Sequence, residues 1–497
     1  MTTRGTAAWL AAGVLLLGAC TSTEEPEPDA RAAEPTPAGE TTAVAAPESG
    51  TTEVDPEDEA LDVAEGEPRE DPIYPDVGDP GVDALHYQLD LAWTPGTKTL
   101  DAVETLVFRA TSDAEEFQLD FGASLTVSSL EVDGEKADFD EDGKDLVVQA
   151  PVTADERYTV EIAYSGSPKP VAAPTTRSDF QTVGWTVTDE GEAWTMQEPF
   201  GAYSWYAVND HPSDKALYDF TISAPSPMVG VANGEMTSRE VVDGNTVTGW
   251  HLDEPASSYL VTAAVGRFKM TRDRSDSGVP ITYWTPKGDP AAARSVRSAG
   301  DELDWVEEKL GPYPFSTLGV VVVDSNSGME TQTMITLGNT AYSLSPEVMV
   351  HEMVHQWYGN QVTPDNWKDL WMNEGMTMYL QAIWESENYN VALKDILGDW
   401  DGFAQQIRDE AGPPADFDPV AFAEGNAYYL PALMWDQLRS DLGDETFWEL
   451  VRAWPQEHDN QNASYDEITA WWSEESGENL RPFFDAWLLN DTQPAYP

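Results

Sequence analysis

Pro346-Glu347-Val348-Met349-Val350-His351-Glu352-Met353-Val354-His355, followed by Asn373-Glu374-Gly375, is the stretch on which the reading of this chain turns. Pro346 suits the first turn of a helix, and Val348, Met349 and Met353 supply an apolar face, so the run predicts a helix. His351 and His355 then stand at i and i+4 on one face, close enough to share a metal ion. Glu352 points about 100° round the helix from His351, so it reaches a water beside the ion rather than the ion itself. Eighteen residues separate His355 from Glu374, enough for the helix to end, turn at Gly359 and Pro364, and return a carboxylate as third ligand. Two imidazoles, one carboxylate and an open position form the donor set of a catalytic zinc site, whereas structural sites close with four protein ligands. The chain has only six His, so such a pattern is rare by chance, and a correctly spaced Glu374 makes it rarer. One Zn2+ per chain is expected.

A chain of 497 residues allows two to four domains. Hydrophobic residues make up 41% of it, with 19 Trp, so large cores are affordable. The single cysteine, Cys20, permits no disulfide within the chain. Arg4 and the apolar residues 7–17 read as a signal peptide, too short to span a bilayer. Leu17-Gly18-Ala19-Cys20 looks like a bacterial lipobox. Residues 1–20 are therefore expected to be a lipoprotein signal, cleaved before Cys20, whose thiol takes a lipid. The product would be exported and tethered to the membrane on its extracytoplasmic side. Residues 21–73 follow as a disordered, acidic, Pro-rich tether, of which 21–71 hold 17 acidic and 2 basic residues. The net charge of the whole chain, −64, excludes nucleic acid as a partner. The acidity fits a surface adapted to salt or solubility, or attraction of cationic substrates.

Alternation in His86-Tyr87-Gln88-Leu89-Asp90-Leu91, Thr105-Leu106-Val107-Phe108 and Tyr158-Thr159-Val160-Glu161-Ile162 predicts strands. Asp133-Gly134 and Asp142-Gly143 mark turns between strands. Residues 74–270 thus read as an antiparallel β domain. Residues 271–497 change texture: a helix over 291–310, a buried strand Leu318-Gly319-Val320-Val321-Val322-Val323, then the zinc helix and mostly helices. The fold class is α+β and multidomain.

Four segments carry a resemblance to the aminopeptidase N and leukotriene-A hydrolase family of zinc peptidases. The block from His351 to Tyr379, with Trp357-Tyr358-Gly359-Asn360, resembles the family's zinc motif. Gly311-Pro312-Tyr313-Pro314-Phe315, Gly328-Met329-Glu330 and Glu198-Pro199-Phe200-Gly201-Ala202, running on to Asn209-Asp210-His211-Pro212 and Lys215-Ala216, resemble three further family segments. The resemblance implies a β domain packed on a thermolysin-like catalytic domain, with the active site between them. It implies that Glu330 and Glu198 bind the free α-amine of a peptide, with Gly328 and Met329 in the same substrate-side segment. An ammonium buried beside a metal needs carboxylates to stay charged. It also implies a Tyr that stabilises the oxyanion. The register with Ala432-Leu433 makes Tyr428 the match, with Tyr429 as the alternative. Ser327 and Thr331 stand where the family has Gly and Asn. Phe483-Phe484-Asp485-Ala486-Trp487-Leu488, shortly before the end of the sequence, resembles the close of the family's catalytic domain, so the resemblance implies a form without the helical C-terminal domain of longer members.

The expected activity is a zinc-dependent aminopeptidase acting on peptides with free N-termini, with Glu352 as general base. The alternatives are an endopeptidase of the same chemistry, or a non-catalytic surface lipoprotein that binds peptides.

Overall fold

A computed structural model describes residues 54–497. The signal peptide, Cys20 and the tether as far as residue 53 lie outside the described residues.

From residue 54 onward the chain is packed, which corrects the expected tether through 73. Glu59–Ala64 forms a 3-10 helix capped by the Asp58 carboxylate. Its Leu61 and Ala64 are buried with Leu85, Val107 and Leu217. Arg157 binds Asp62 and Glu65, and Arg69 pairs with Asp365 at 2.9 Å. The buried Asp71 carboxylate accepts from the N–H groups of Ile73, Tyr74 and Trp367. Acidic composition signals disorder only when the charges lack partners; here arginines and backbone amides supply them.

The strands Val82–Thr94, Thr99–Ala110, Arg157–Gly166, Lys215–Pro225 and Asn245–Ser257 dominate an eight-stranded sheet. Their pairings are antiparallel, except that Val82–Thr94 and Lys215–Pro225 run parallel. Alternation cannot distinguish the two senses, and a parallel pair needs only a long crossover. A five-stranded sheet, including Thr182–Val187, Ala193–Met196 and Ala263–Gly266, completes this part together with a three-stranded one. At the predicted turns, Asp133, Gly134 and Gly143 have φ of 51°, 75° and 72°.

Phe268–Arg274 already belongs to the sheet of the second part, so the boundary falls at Arg267, slightly before 270. That sheet runs Phe268–Arg274, Pro280–Pro286, Leu318–Val323, Met334–Gly338, Gly328–Met329. Leu318–Val323 is buried along its whole length and pairs parallel on both sides, which is why it reads as an unbroken apolar run. Helices follow: α1 (Ala292–Ser295) and α2 (Ala299–Leu310), divided by a 3-10 turn where one helix was expected, then α3 (Pro346–Val354), α4 (Trp371–Tyr389), α5 (Leu393–Ala411), α6 (Gly425–Leu442), α7 (Asp444–Glu457), α8 (Tyr465–Ser476) and α9 (Arg481–Leu488). Among the described residues no helix is long and apolar enough to cross a membrane.

One core fills the β part around Trp93, Trp185 and Trp205. It continues into the second part through Trp284, Met329, Trp367, Phe417 and Phe422. A second core gathers Trp357, Trp371, Trp435, Trp454 and Trp472 beneath the helices. The described residues form one compact unit.

Candidate active site

The helix predicted from the opening stretch is α3. Ser345 precedes it in extended conformation and Pro346 takes its first turn, where a missing N–H costs nothing. His355 closes the helix with φ −56° and ψ −27°, so the i and i+4 geometry survives to its last residue. Glu374 lies in the first turn of α4. The crossing of α4 on α6 is tight: a Cβ on Gly375 would lie 2.6 Å from the Pro431 Cβ.

His351 Nε2 and His355 Nε2 stand 3.2 Å and 3.4 Å from Glu374 Oε2. The three donor atoms lie within 4.8 Å of one another. The outer nitrogens fix the tautomers. His351 Nδ1 faces Gln381 Oε1 at 3.0 Å, and His355 Nδ1 faces the Tyr358 carbonyl at 3.1 Å. The Gln381 amide is oriented by its own bond to Glu385, 2.7 Å. Both acceptors require a proton on Nδ1, which leaves both Nε2 lone pairs aimed at the common centre. Glu374 Oε2 is buried and receives no hydrogen bond. Buried lone pairs that converge in this way are costly without a cation between them, and two imidazoles with one carboxylate suit zinc.

The electrostatics agree. Burial would lower the His355 imidazole, yet the carboxylates of Glu330 and Glu374 push it up to about 10. Burial would raise Glu374, but His355 and His351 hold its carboxyl well below the usual range.

Glu352, Glu330 and His355 form a second convergent cluster sharing His355 with the first. Burial, followed by repulsion from Glu330, pushes the Glu352 carboxyl well above its ordinary value. Gly328 leaves room for it, because a Cβ there would crowd Glu352 Oε1. Glu330 and Glu198 are 3% and 9% exposed. Each keeps its Oε1 buried with no donor. Burial and then the Glu330 charge drive Glu198 upward; burial leads for Glu330 as well.

Some supporting residues had no role assigned from sequence. The Glu330 carbonyl accepts from Gln356 Nε2 at 2.9 Å and Asn360 Nδ2 at 2.7 Å. Lys215 Nζ, fully buried, donates to the carbonyls of Asn360 and Gln361 at 3.0 and 3.2 Å. Asp210 accepts from Gly201 N–H at 2.7 Å and so pins the loop after Glu198.

Tyr428 and Tyr429 separate in space. The Tyr428 ring lies 6.1 Å from the His351 ring and nearly parallel to it. Its hydroxyl accepts from Arg177 Nη1 at 3.1 Å. Tyr429 packs on Trp400 and Phe403, with ring centres 5.1 and 5.7 Å away. Both line a cavity of about 340 Å³ that also holds the triad, Glu352, Glu330, Glu198, Gly328, Met329 and Ser327. Thr331 turns away into the core, where its hydroxyl meets Thr336 Oγ1 at 2.9 Å.

Residues 83–260 match the Peptidase M1 N-terminal domain, and residues 295–487 match the Peptidase family M1 domain. Aminopeptidase N of Lactobacillus helveticus is 26% identical over 445 residues, 83% of this chain and 51% of that protein. Aminopeptidase M1 of Arabidopsis thaliana is 26% identical over 61% of this chain and 37% of its own length. The chain thus spans about half or less of these relatives. An M1 zinc metallopeptidase from Deinococcus radiodurans superposes with a TM-score of 0.78 at 23% identity, covering 86% of this chain and 98% of that one. The two matched domains correspond to the β part and to the part that carries His351, His355 and Glu374, so the chain belongs to peptidase family M1.

Proposed function

We propose that the chain is a zinc aminopeptidase that removes N-terminal residues from peptides. The observation that carries the exopeptidase reading is the pair of orphaned, buried carboxylate oxygens on Glu198 and Glu330, beside the metal triad. A free α-ammonium satisfies both and offsets the repulsion between them. A blocked amine supplies no charge and leaves two buried carboxylates facing each other. A structure of the same two-domain fold carries the Tyr-Ser-Ala substrate.

His351, His355 and Glu374 would hold zinc, which when bound supplies Lewis acidity toward a carbonyl and a lowered pKa for water. Glu352 takes the proton of the attacking water on its carboxylate and returns it to the leaving amine. Tyr428 donates its O–H to the oxygen on which charge develops. Glu198 and Glu330 fix the ammonium, so the first peptide bond falls at the reacting centre.

The test is a panel of fluorogenic aminoacyl substrates paired with their N-acetylated forms, each with and without a chelator. Chelator-sensitive cleavage confined to the free-amine set is expected. Equal cleavage of both sets would replace the reading with an endopeptidase. Anchorage at the membrane through a lipid on Cys20, on the extracytoplasmic side, is part of the same proposal and is supported by the lipobox-like residues 17–20. Cys20→Ala should move the protein from the membrane fraction to the soluble one.

A further inference from the structure

Among the described residues that line the cavity, Arg177 is the only Lys or Arg. It comes from the β part, in the connection between the strands Val171–Ala172 and Thr182–Val187. Nothing in the reaction as derived above uses it.

Its guanidinium is not free to bind an anion. Nε and Nη2 grip the Asp179 carboxylate, and Nη1 donates to the Ala423 carbonyl at 2.9 Å and to Tyr428 Oη at 3.1 Å. Four of five N–H donors are thereby committed. The group also lies over the Phe180 ring at 4.6 Å. The whole connection is fastened to the residues that lead into α6. Phe422 N–H donates to the Pro174 carbonyl at 3.1 Å, Thr175 Oγ1 donates to the Phe422 carbonyl at 2.8 Å, and Thr176 Oγ1 bonds Glu424.

Tyr428 sits in the first turn of α6, and Glu424, the residue before that helix, makes no side-chain cap. The phenol accepts from Arg177, and no protein group among the described residues accepts its proton. A hydroxyl that accepts on its oxygen has its proton left for a ligand in the cavity. A cationic donor on that oxygen also strengthens the hydrogen bond the proton makes.

We propose that Arg177 is a positioning residue. It holds Tyr428 Oη as an acceptor, from across the boundary between the two parts, so that the phenolic O–H is presented to the developing oxyanion. The inference rests on the aminopeptidase reading and on Tyr428 as the oxyanion donor.

A double-mutant cycle tests it on the zinc-loaded protein with a free aminoacyl substrate. Arg177→Ala should lower kcat by about 10- to 100-fold with KM changed less than about threefold and zinc content unchanged, as expected for a contact expressed in the transition state. In a Tyr428→Phe background the same substitution should change kcat by less than about twofold, because its effect passes through the missing hydroxyl. Multiplied losses in the double variant would overturn the proposal and make Arg177 an independent contact to substrate. If Arg177→Ala loses zinc, Arg177→Lys carries the cycle, keeping the charge but not the fork that bonds Ala423 and Tyr428 together. A calorimetric titration with an α-aminophosphinic dipeptide, a tetrahedral oxyanion mimic, gives a readout without turnover: weaker binding in Arg177→Ala alone, and no further weakening on Tyr428→Phe. Absence of wild-type cleavage of free-amine substrates, or full activity of Tyr428→Phe, would instead refute the underlying reading.

Discussion

In the proposed mechanism Glu352 and the residues His351, His355 and Glu374 share one cage but divide its labour, and single substitutions separate the parts. Glu352→Gln preserves size and leaves His351, His355 and Glu374 untouched, so zinc should stay bound while kcat falls by at least about 10³-fold. Metal content by mass spectrometry, set beside kcat, checks this; retained activity at full zinc occupancy would refute the assigned role. Glu330→Ala removes one of the two orphaned carboxylates while its backbone carbonyl keeps the bonds from Gln356 and Asn360. Turnover of free-amine substrates should drop by about 10²-fold or more, as for a misplaced reacting group, with zinc retained. The convergence of His351, His355 and Glu374 was legible because its geometry is local or nearly so. Glu198 was reachable only through resemblance, since nothing in a lone acidic residue before a proline tells that it will be buried. Arg177 was invisible: an arginine among Thr, Ser and Asp reads as surface until the fold brings α6 beneath it.

At the level of elements, the site depends on how closely α4 and α6 approach. α4 carries Glu374 and α6 carries Tyr428, and they touch where Gly375 meets Pro431. Gly375→Ala would force a methyl to 2.6 Å from the Pro431 Cβ. Overpacking of this kind costs about 1–3 kcal/mol, so the melting temperature should fall and kcat with it, because Tyr428 is one turn from the collision. Gly398→Ala is the control: that exposed glycine in α5 has nothing within 4 Å of its added Cβ. There the better helix propensity should raise stability by up to about 1 kcal/mol. Helices and strands were legible wherever periodicity was strong, as in α3 and Leu318–Val323. The parallel pairing of Val82–Thr94 with Lys215–Pro225 was not, because the two strands are far apart in sequence and alternate alike. The packed segment 54–73 was missed for a different reason. Averaged composition hides the few residues, Leu61, Arg69 and Asp71, that hold it down.

For the whole molecule, charge is the largest unbalanced quantity: 90 acidic against 26 basic residues. Surface carboxylates repel one another and loosen the compact state. The Debye length shrinks from about 30 Å at 0.01 M salt to about 3 Å at 1 M, so the melting temperature should rise with NaCl over that range. A flat or falling curve would show that the repulsion is already relieved by local pairing. The segment ahead of the first long strand has a further consequence. Leu61 and Ala64 are buried with residues of the eight-stranded sheet, whereas Arg69 pairs with Asp365, Asp71 accepts from Trp367 and Tyr74 donates to the Pro419 carbonyl. The chain is thus stitched first to one half and then to the other, and Phe417 and Phe422 already lend the β core side chains from the far side. Neither half can come apart without tearing the seam. Heating should therefore melt the molecule in a single calorimetric peak whose van't Hoff and calorimetric enthalpies agree, and two resolved peaks would show that the halves unfold separately.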